Sequence, residues 1–348
     1  MRPLLLILLF LATALASLCV GSQGIWPVGD VLSGLAGSLE LGEGLGERRQ
    51  LVFSFRLHST LTALGVGSAL ALSGALLQAV FRNDLASPSV IGVNAGAALG
   101  AALVIIGLGS GAGLLDIVWG GSWTPYLVSG AALAGGLTTV ALVGSLAALR
   151  GGWSAPSLLL MGIAVNATVA GMLTLLQSLA LRESFNTARA MMSWTFGNLT
   201  DRTATHALMV WGAVGLSTLI LPLISRELDL LSAGEDDARA LGVPVRRVQL
   251  LAVFAATLSA AVAVACAGQI MFVGLVVPHL LRAVFGREHR RLLPACLLGG
   301  PVFLVGLDTL QRTFLGDLSM PPGVLLSLVG GPLFFFLLLR SRGLGVSW

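Results

Sequence analysis

LHSTLTALGVGSALALSGALLQAVF, Leu57 to Phe81, is a run of 25 residues without one acidic or arginine side chain. About 20 apolar residues suffice for a helix to cross the hydrocarbon core of a bilayer. The run is continuous and does not alternate, as a lipid-facing barrel strand would. Its glycines and alanines suit close helix packing in lipid, where small residues let backbones approach. Comparable runs lie near 3–20, 90–108, 124–149, 157–181, 205–223, 248–267, 271–285, 292–311 and 323–340. With 57–81 they predict ten spans, of which 271–285 is short for a full crossing. The fold class read from the sequence is therefore all-α, a polytopic membrane protein whose single transmembrane domain covers residues 1–348.

Composition points the same way. Of 348 residues, 56% are hydrophobic and only 10% charged, with mean hydropathy +0.93. Soluble domains carry about 25% charged residues, so this chain cannot cover a water-facing surface. Lysine is absent, and all 20 basic residues are arginine. A Walker A motif needs a lysine for the phosphates, so any ATP driving this chain is hydrolysed by another. The net charge of +4 suits positive loops on the inner side and argues against a nucleic-acid partner.

The first segment resembles a signal peptide, with Arg2, an apolar run and then Ala14-Leu15-Ala16-Ser17. Leu18 precedes Cys19 where a lipobox needs a small residue, and the expectation is an uncleaved first helix. With the N-terminus inside and alternating spans, the inner side holds Arg2, Arg82, Arg150, Arg226, Arg239, Arg246, Arg247, Arg282, Arg287, Arg290, Arg291, Arg340 and Arg342. That is 13 of the 20 arginines, as the positive-inside rule expects. Both termini are then inside the cell membrane. Trp26, Trp119, Trp123, Trp153 and Trp194 fall at loop edges, as interfacial anchors do, with Trp211 as the exception. Gly92, Gly96 and Gly100 form a small-residue ladder expected to pack against a neighbouring helix.

One polar island interrupts the apolar pattern. Residues 225–247 carry Glu227, Asp229, Glu235, Asp236, Asp237, Arg239, Arg246 and Arg247. Ser232-Ala233-Gly234-Glu235 reads as a capping box, and Asp236 and Asp237 suit a helix N-terminus. Leu241-Gly242 followed by Pro244 reads as a stop. The expectation is a rigid helix of about two turns between two spans, a shape that a partner protein could grip.

Several blocks in order resemble the permease family of ABC importers for iron–siderophore, haem and vitamin B12. They are Phe55-Arg56-Leu57, Ser73 to Gln78, Arg82 to Pro88, Gly92 to Ala97, Gly234 to Gly242, Gly268 to His279 with Arg282, Glu288-His289-Arg290, Leu293-Pro294, Pro322-Gly323-Val324 and Gly330-Gly331-Pro332. The resemblance spans about residues 50–340. It implies a type II importer permease: ten helices per subunit, a homodimer around a central pathway, two cytoplasmic ATP-binding subunits and an external substrate-binding protein.

The resemblance also implies roles. Gly234, Glu235, Asp237, Ala240, Leu241 and Gly242 would dock into the ATPase. Arg56 and Arg312 would pair with glutamates of the binding protein, while Ser59 stands where the family usually has a second arginine. Ser154 and Ala155 match the inner gate. Asn166 and Asn198 are pathway candidates, with interhelical hydrogen bonding as the simpler reading of each. Asp308 is expected to pair with Arg312 one turn away. Asp84 replaces a proline common in the Arg-Asn-Pro block.

His58, His206, His279 and His289 show no metal-ligand spacing, and Cys19, Cys266 and Cys296 form no CxxC pair. No metal or cofactor is expected; iron would travel as a chelate. The cargo expected first is an iron–siderophore, then haem or cobalamin. A secondary transporter driven by an ion gradient would want acids at the membrane midplane, and few exist. A membrane enzyme would want clustered carboxylates or HExxH, and neither is present.

Overall fold

The computed structural model describes residues 2–21, 24–39, 45–109, 124–149, 155–200, 202–316 and 320–342. The helices are α1 (Arg2–Cys19), α2 (Val28–Ser38), α3 (Glu47–Phe81), α4 (Val93–Gly109), α5 (Thr124–Leu149), α6 (Ala155–Glu183), α7 (Phe185–Phe196), α8 (Ala204–Ala233), α9 (Glu235–Ala240), α10 (Val245–Ala267), α11 (Val273–Phe285), α12 (His289–Leu315) and α13 (Pro322–Arg342). Each of the ten expected spans coincides with a helix. Seven are long and apolar enough to cross a membrane alone, and α4, α11 and α13 are shorter apolar helices. Three short helices complete the set: α2, α7 and α9. A two-residue hairpin, Val20–Gly21 with Gly24–Ile25, follows α1.

The run Leu57–Phe81 lies in the central helix, α3. From Thr62 to Phe81 every residue of α3 is buried, and α3 packs on α8, α10, α11 and α12. Backbones meet closely at glycines: a Cβ at Gly74 would fall on the carbonyl of Gly274, and one at Gly300 on that of Gly67. Hydroxyls stitch the interfaces by donating to carbonyls across helices. Ser73 Oγ reaches Ala256 at 2.6 Å and Ser68 Oγ reaches Leu297 at 2.7 Å. The ladder Gly96 and Gly100 packs on α5 as expected, against Gly135, Thr139 and Ala131. In contrast, α6 leaves Leu160, Ile163, Met172, Leu175 and Leu179 exposed, an apolar face for hydrocarbon or another subunit. Trp211 is no interfacial oddity: its indole N–H donates to the Leu61 carbonyl at 2.9 Å. Trp119, Trp123 and Trp153 lie outside the described residues.

Loops expected on one side of the membrane do gather at one end of the bundle. Arg2 Nη1 donates to the Val284 carbonyl at 2.7 Å. Arg82 and Pro156 line one cavity with Gly234–Asp237 and Arg239. His289 Nδ1 lies 2.6 Å from Asp229 Oδ1, and the same carboxylate oxygen accepts the His289 backbone N–H at 2.9 Å.

Candidate coupling and docking sites

The short helix α9 sits where α8 and α10 meet. Its start differs from the expected capping box. α8 continues to Ala233, so Ser232 lies inside its last turn, and its hydroxyl donates back to the Asp229 carbonyl at 2.6 Å. The break falls at Gly234, whose φ of +152° favours glycine, and no side chain caps α9. The helix is six residues long, close to the two turns expected. Its end behaves as the sequence suggests. Gly242 has φ +82°; its N–H bonds Arg239 at 3.0 Å, and Val243 N–H bonds Ala238 at 3.0 Å. This pair of bonds is the Schellman stop.

The side chains of α9 divide into two sets. Ala238 is fully buried against the bundle. Glu235 also turns inward: its Oε1 accepts from Gln249 Nε2 at 3.0 Å, and its Oε2 accepts from Arg239 at 2.8 Å. Arg239 also grips Asp236 at 2.8 Å. Asp236, Asp237, Ala240, Leu241 and Gly242 face solvent, with Leu241 67% exposed. The six residues expected to dock thus separate into an inward tie, Glu235, backbone formers, Gly234 and Gly242, and an outward face, Asp237, Ala240 and Leu241.

A second polar cluster stands nearby, at the corner between α3 and α4. α3 ends at Arg82 in the left-handed conformation, φ +50°. Asp84 pairs with Arg282 at 3.1 Å and with Arg287 at 3.7 Å. Arg282 Nη2 also donates to Gln78 Oε1 at 2.6 Å. The aspartate that stands in place of a proline therefore ties the α3–α4 corner to α11. Arg282 is 11% exposed, and a charge so buried needs such a partner.

At the opposite end, Arg56 and Arg312 are both engaged within the chain. Arg56 donates to the carbonyls of Leu18, Cys19 and Gly24 at 3.4, 3.3 and 3.2 Å. Its guanidinium stacks on Trp26, 4.5 Å from the ring centroid, a cation–π arrangement. It clamps the hairpin onto α3. Arg312 pairs with Asp308, as expected, and is 19% exposed. Ser59 accepts the Arg202 backbone N–H at 3.2 Å, so it fastens the loop after α7 to α3. Arg48 and Arg49 at the start of α3 are exposed, although Arg49 pairs with Asp30 of α2 at 3.5 Å and lies over the Trp26 ring, 5.7 Å from its centroid.

Of the gate and pathway candidates, Asn166 and Asn198 have separate hydrogen-bond partners. Ser154 lies outside the described residues, and Ala155 opens α6. Asn166 donates through Nδ2 to the carbonyls of Ser89 and Val90 at 2.9 and 3.1 Å, tying α6 to the turn that precedes α4. Asn198 Oδ1 accepts from the N–H and hydroxyl of Thr200, each at 2.7 Å, and shapes its own loop. Among the described residues, no group of three His, Cys, Asp or Glu side chains could hold a metal.

Comparison with known proteins completes the picture. The model of the FecCD transport family matches residues 6–340. The vitamin B12 import system permease protein BtuC of Klebsiella pneumoniae is 36% identical over 98% of this chain and 94% of its own. The hemin transport system permease protein HmuU of Yersinia pestis is 38% identical over 83% of each chain. An inward-facing structure of an ABC transporter assigned to the metal-chelate type superposes with TM-score 0.79, at 31% identity, over 96% of this chain and 97% of that one. With the match running through both polar clusters and reaching all ten apolar helices, this chain belongs to the FecCD transport family and is a multi-pass permease subunit of an ABC importer.

Proposed function

We propose that this chain, as a homodimer in the cytoplasmic membrane with both termini inside, passes an organic metal chelate inward. It receives the chelate from an external binding protein and is driven by two separate ATP-binding subunits. The carrying observation is α9, a six-residue helix with a polar and apolar outward face, fixed to the bundle through Ala238 and Glu235. Such a helix can transmit the closing of an ATPase pair to α8 and α10. The relative matching 98% of the chain imports vitamin B12 by name and another imports hemin, so a corrinoid is the cargo to test first. The siderophore expectation draws no support from these two relatives.

The test is uptake into proteoliposomes holding the chain, its ATPase and its binding protein, with labelled cyanocobalamin, haem and a ferric siderophore offered separately. ATP-dependent accumulation of one chelate is expected. Uptake that follows an ion gradient and ignores ATP would sink the reading in favour of a secondary transporter.

A further inference from the structure

We propose that a groove between α5 and α10, at the end of the bundle that carries α9, binds the headgroup of an anionic phospholipid. The groove encloses about 820 Å³ and is lined by Ala148, Val245 and Leu250 with Arg239, Arg246 and Arg247. Three features fit a lipid. First, its walls are the last turn of one candidate span, Pro125–Leu149, and the first turns of another, Val245–Ala267, which places it at the headgroup level. Second, apolar surface continues beside it: Leu149 is 84% exposed and Leu250 is exposed as well. Third, its charge is uncompensated. Arg239 is already held by Glu235 and Asp236. Arg246 and Arg247 are exposed, no carboxylate among the described residues lies within ion-pair distance of either, and the first turn of α10 holds no acidic side chain.

A general bias of positive loops toward the inner side explains why arginines stand at this end. It does not explain two adjacent arginines, with no carboxylate partner among the described residues, at the mouth of a groove between spans whose walls include Ala148, Val245 and Leu250. A phosphodiester over Arg246 and Arg247, with its acyl chains along Leu250 and Leu149, satisfies both parts. Basic pockets between spans on the inner side suit such headgroups. The inference rests on the inner placement of this end, but not on any cargo.

The test uses the purified full chain in nanodiscs of phosphatidylcholine with a minor fraction of phosphatidylglycerol. Lipids retained on gentle release are counted by native mass spectrometry. The wild type should retain phosphatidylglycerol selectively. The Arg246→Gln/Arg247→Gln variant should lose that selectivity by roughly 25-fold, at about fivefold per arginine. The Arg290→Gln/Arg291→Gln variant removes the same charge from the same end outside the groove and should keep it. Equal loss in both variants would mean diffuse surface attraction and overturn the groove. Unchanged retention in Arg246→Gln/Arg247→Gln, with weakened binding of the ATPase subunit, would make this surface a protein interface instead. The lipid count needs neither ATP nor chelate, so its failure is separate from failure of the import reading.

Discussion

Gln249, in the first two turns of α10, donates through Nε2 to Glu235 Oε1 at 3.0 Å across the sharp turn that separates α9 from α10. A bond to a charged acceptor contributes about 1.5–3 kcal/mol. Gln249 is 6% exposed, so the acceptor cannot be replaced freely by water. Within the chain, this carboxylate fixes α9 to the bundle.

Glu235→Ala should therefore leave membrane insertion intact and loosen α9. Amide exchange over residues 235–243 should speed up by roughly tenfold, the equivalent of about 1.4 kcal/mol. Less cargo should move per ATP hydrolysed, with ATP hydrolysis persisting. Leu241→Ala, on the outward face, should do the reverse: unchanged amide exchange and weaker binding of the ATPase, measured by co-purification. If both variants behave alike, the division of α9 into an inward tie and an outward face is wrong.

Asp84 yields a stability prediction. Removing one partner of a buried pair leaves an uncompensated charge, at a cost of about 3–5 kcal/mol when fully buried. The pair here is partly open, with Asp84 23% exposed, so Asp84→Asn should cost about 1–3 kcal/mol. Arg282→Gln in the same background should cost little more, because the two effects overlap. A double-mutant cycle on the thermal midpoint of the purified chain should give a coupling of about 1 kcal/mol or more. Additive losses would show that the ion pair contributes nothing.

Which parts of this were legible in the sequence follows from range. The ten apolar helices were, seven of them long enough to cross a membrane, because each is a local apolar run and lipid leaves the backbone no alternative. The stop at Gly242 was, since the Schellman turn uses only neighbouring residues. The capping box was misread because Ser232 and Glu235 have the right spacing; only the continuation of α8 through Ala233 shows that Ser232 sits inside a helix. The short helices α2 and α7 were missed because each has only 11 or 12 residues and flanks longer apolar runs. The partners of Asp84, Arg282 and Arg287, lie far along the chain, and no local pattern announces such a pairing. The same distance hid the engagement of Arg56 with a hairpin that follows α1.

Glycine crossings make a sharper test of packing. At Gly74 an added Cβ would overlap the Gly274 backbone, where no flexible side chain can yield. Gly74→Ala should cost at least about 1–3 kcal/mol, as overpacking does in a tight core, and should lower the yield of folded chain in detergent. Gly171 on α6 has nothing within 4 Å of the same added atom. Gly171→Ala should stabilise its helix by about 0.5–1 kcal/mol. A thermal midpoint that falls for the first and holds or rises for the second is the expected pattern. Tolerance of Gly74→Ala would mean that α3 and α11 do not cross this closely.

Arg56 separates a clamp from a docking contact. Its guanidinium spans three carbonyls and the Trp26 ring, a fan of donors that a point charge cannot reproduce. Arg56→Lys keeps the charge and should still lose the clamp. The hairpin after α1 should then open to protease and exchange faster, with the binding protein absent. A pure docking role predicts the opposite: Arg56→Lys would hold the hairpin and bind the partner nearly as well. Arg48 is exposed on the first turn of α3 and is better placed for encounter with an acidic partner; its neighbour Arg49 already pairs with Asp30 at 3.5 Å and lies over Trp26. Exposed charges chiefly change association rate and salt dependence. Arg48→Glu should slow association with the binding protein several-fold at low salt and leave the hairpin protected. The two variants thus exchange phenotypes according to which arginine meets the partner, and surface plasmon resonance together with limited proteolysis reads both.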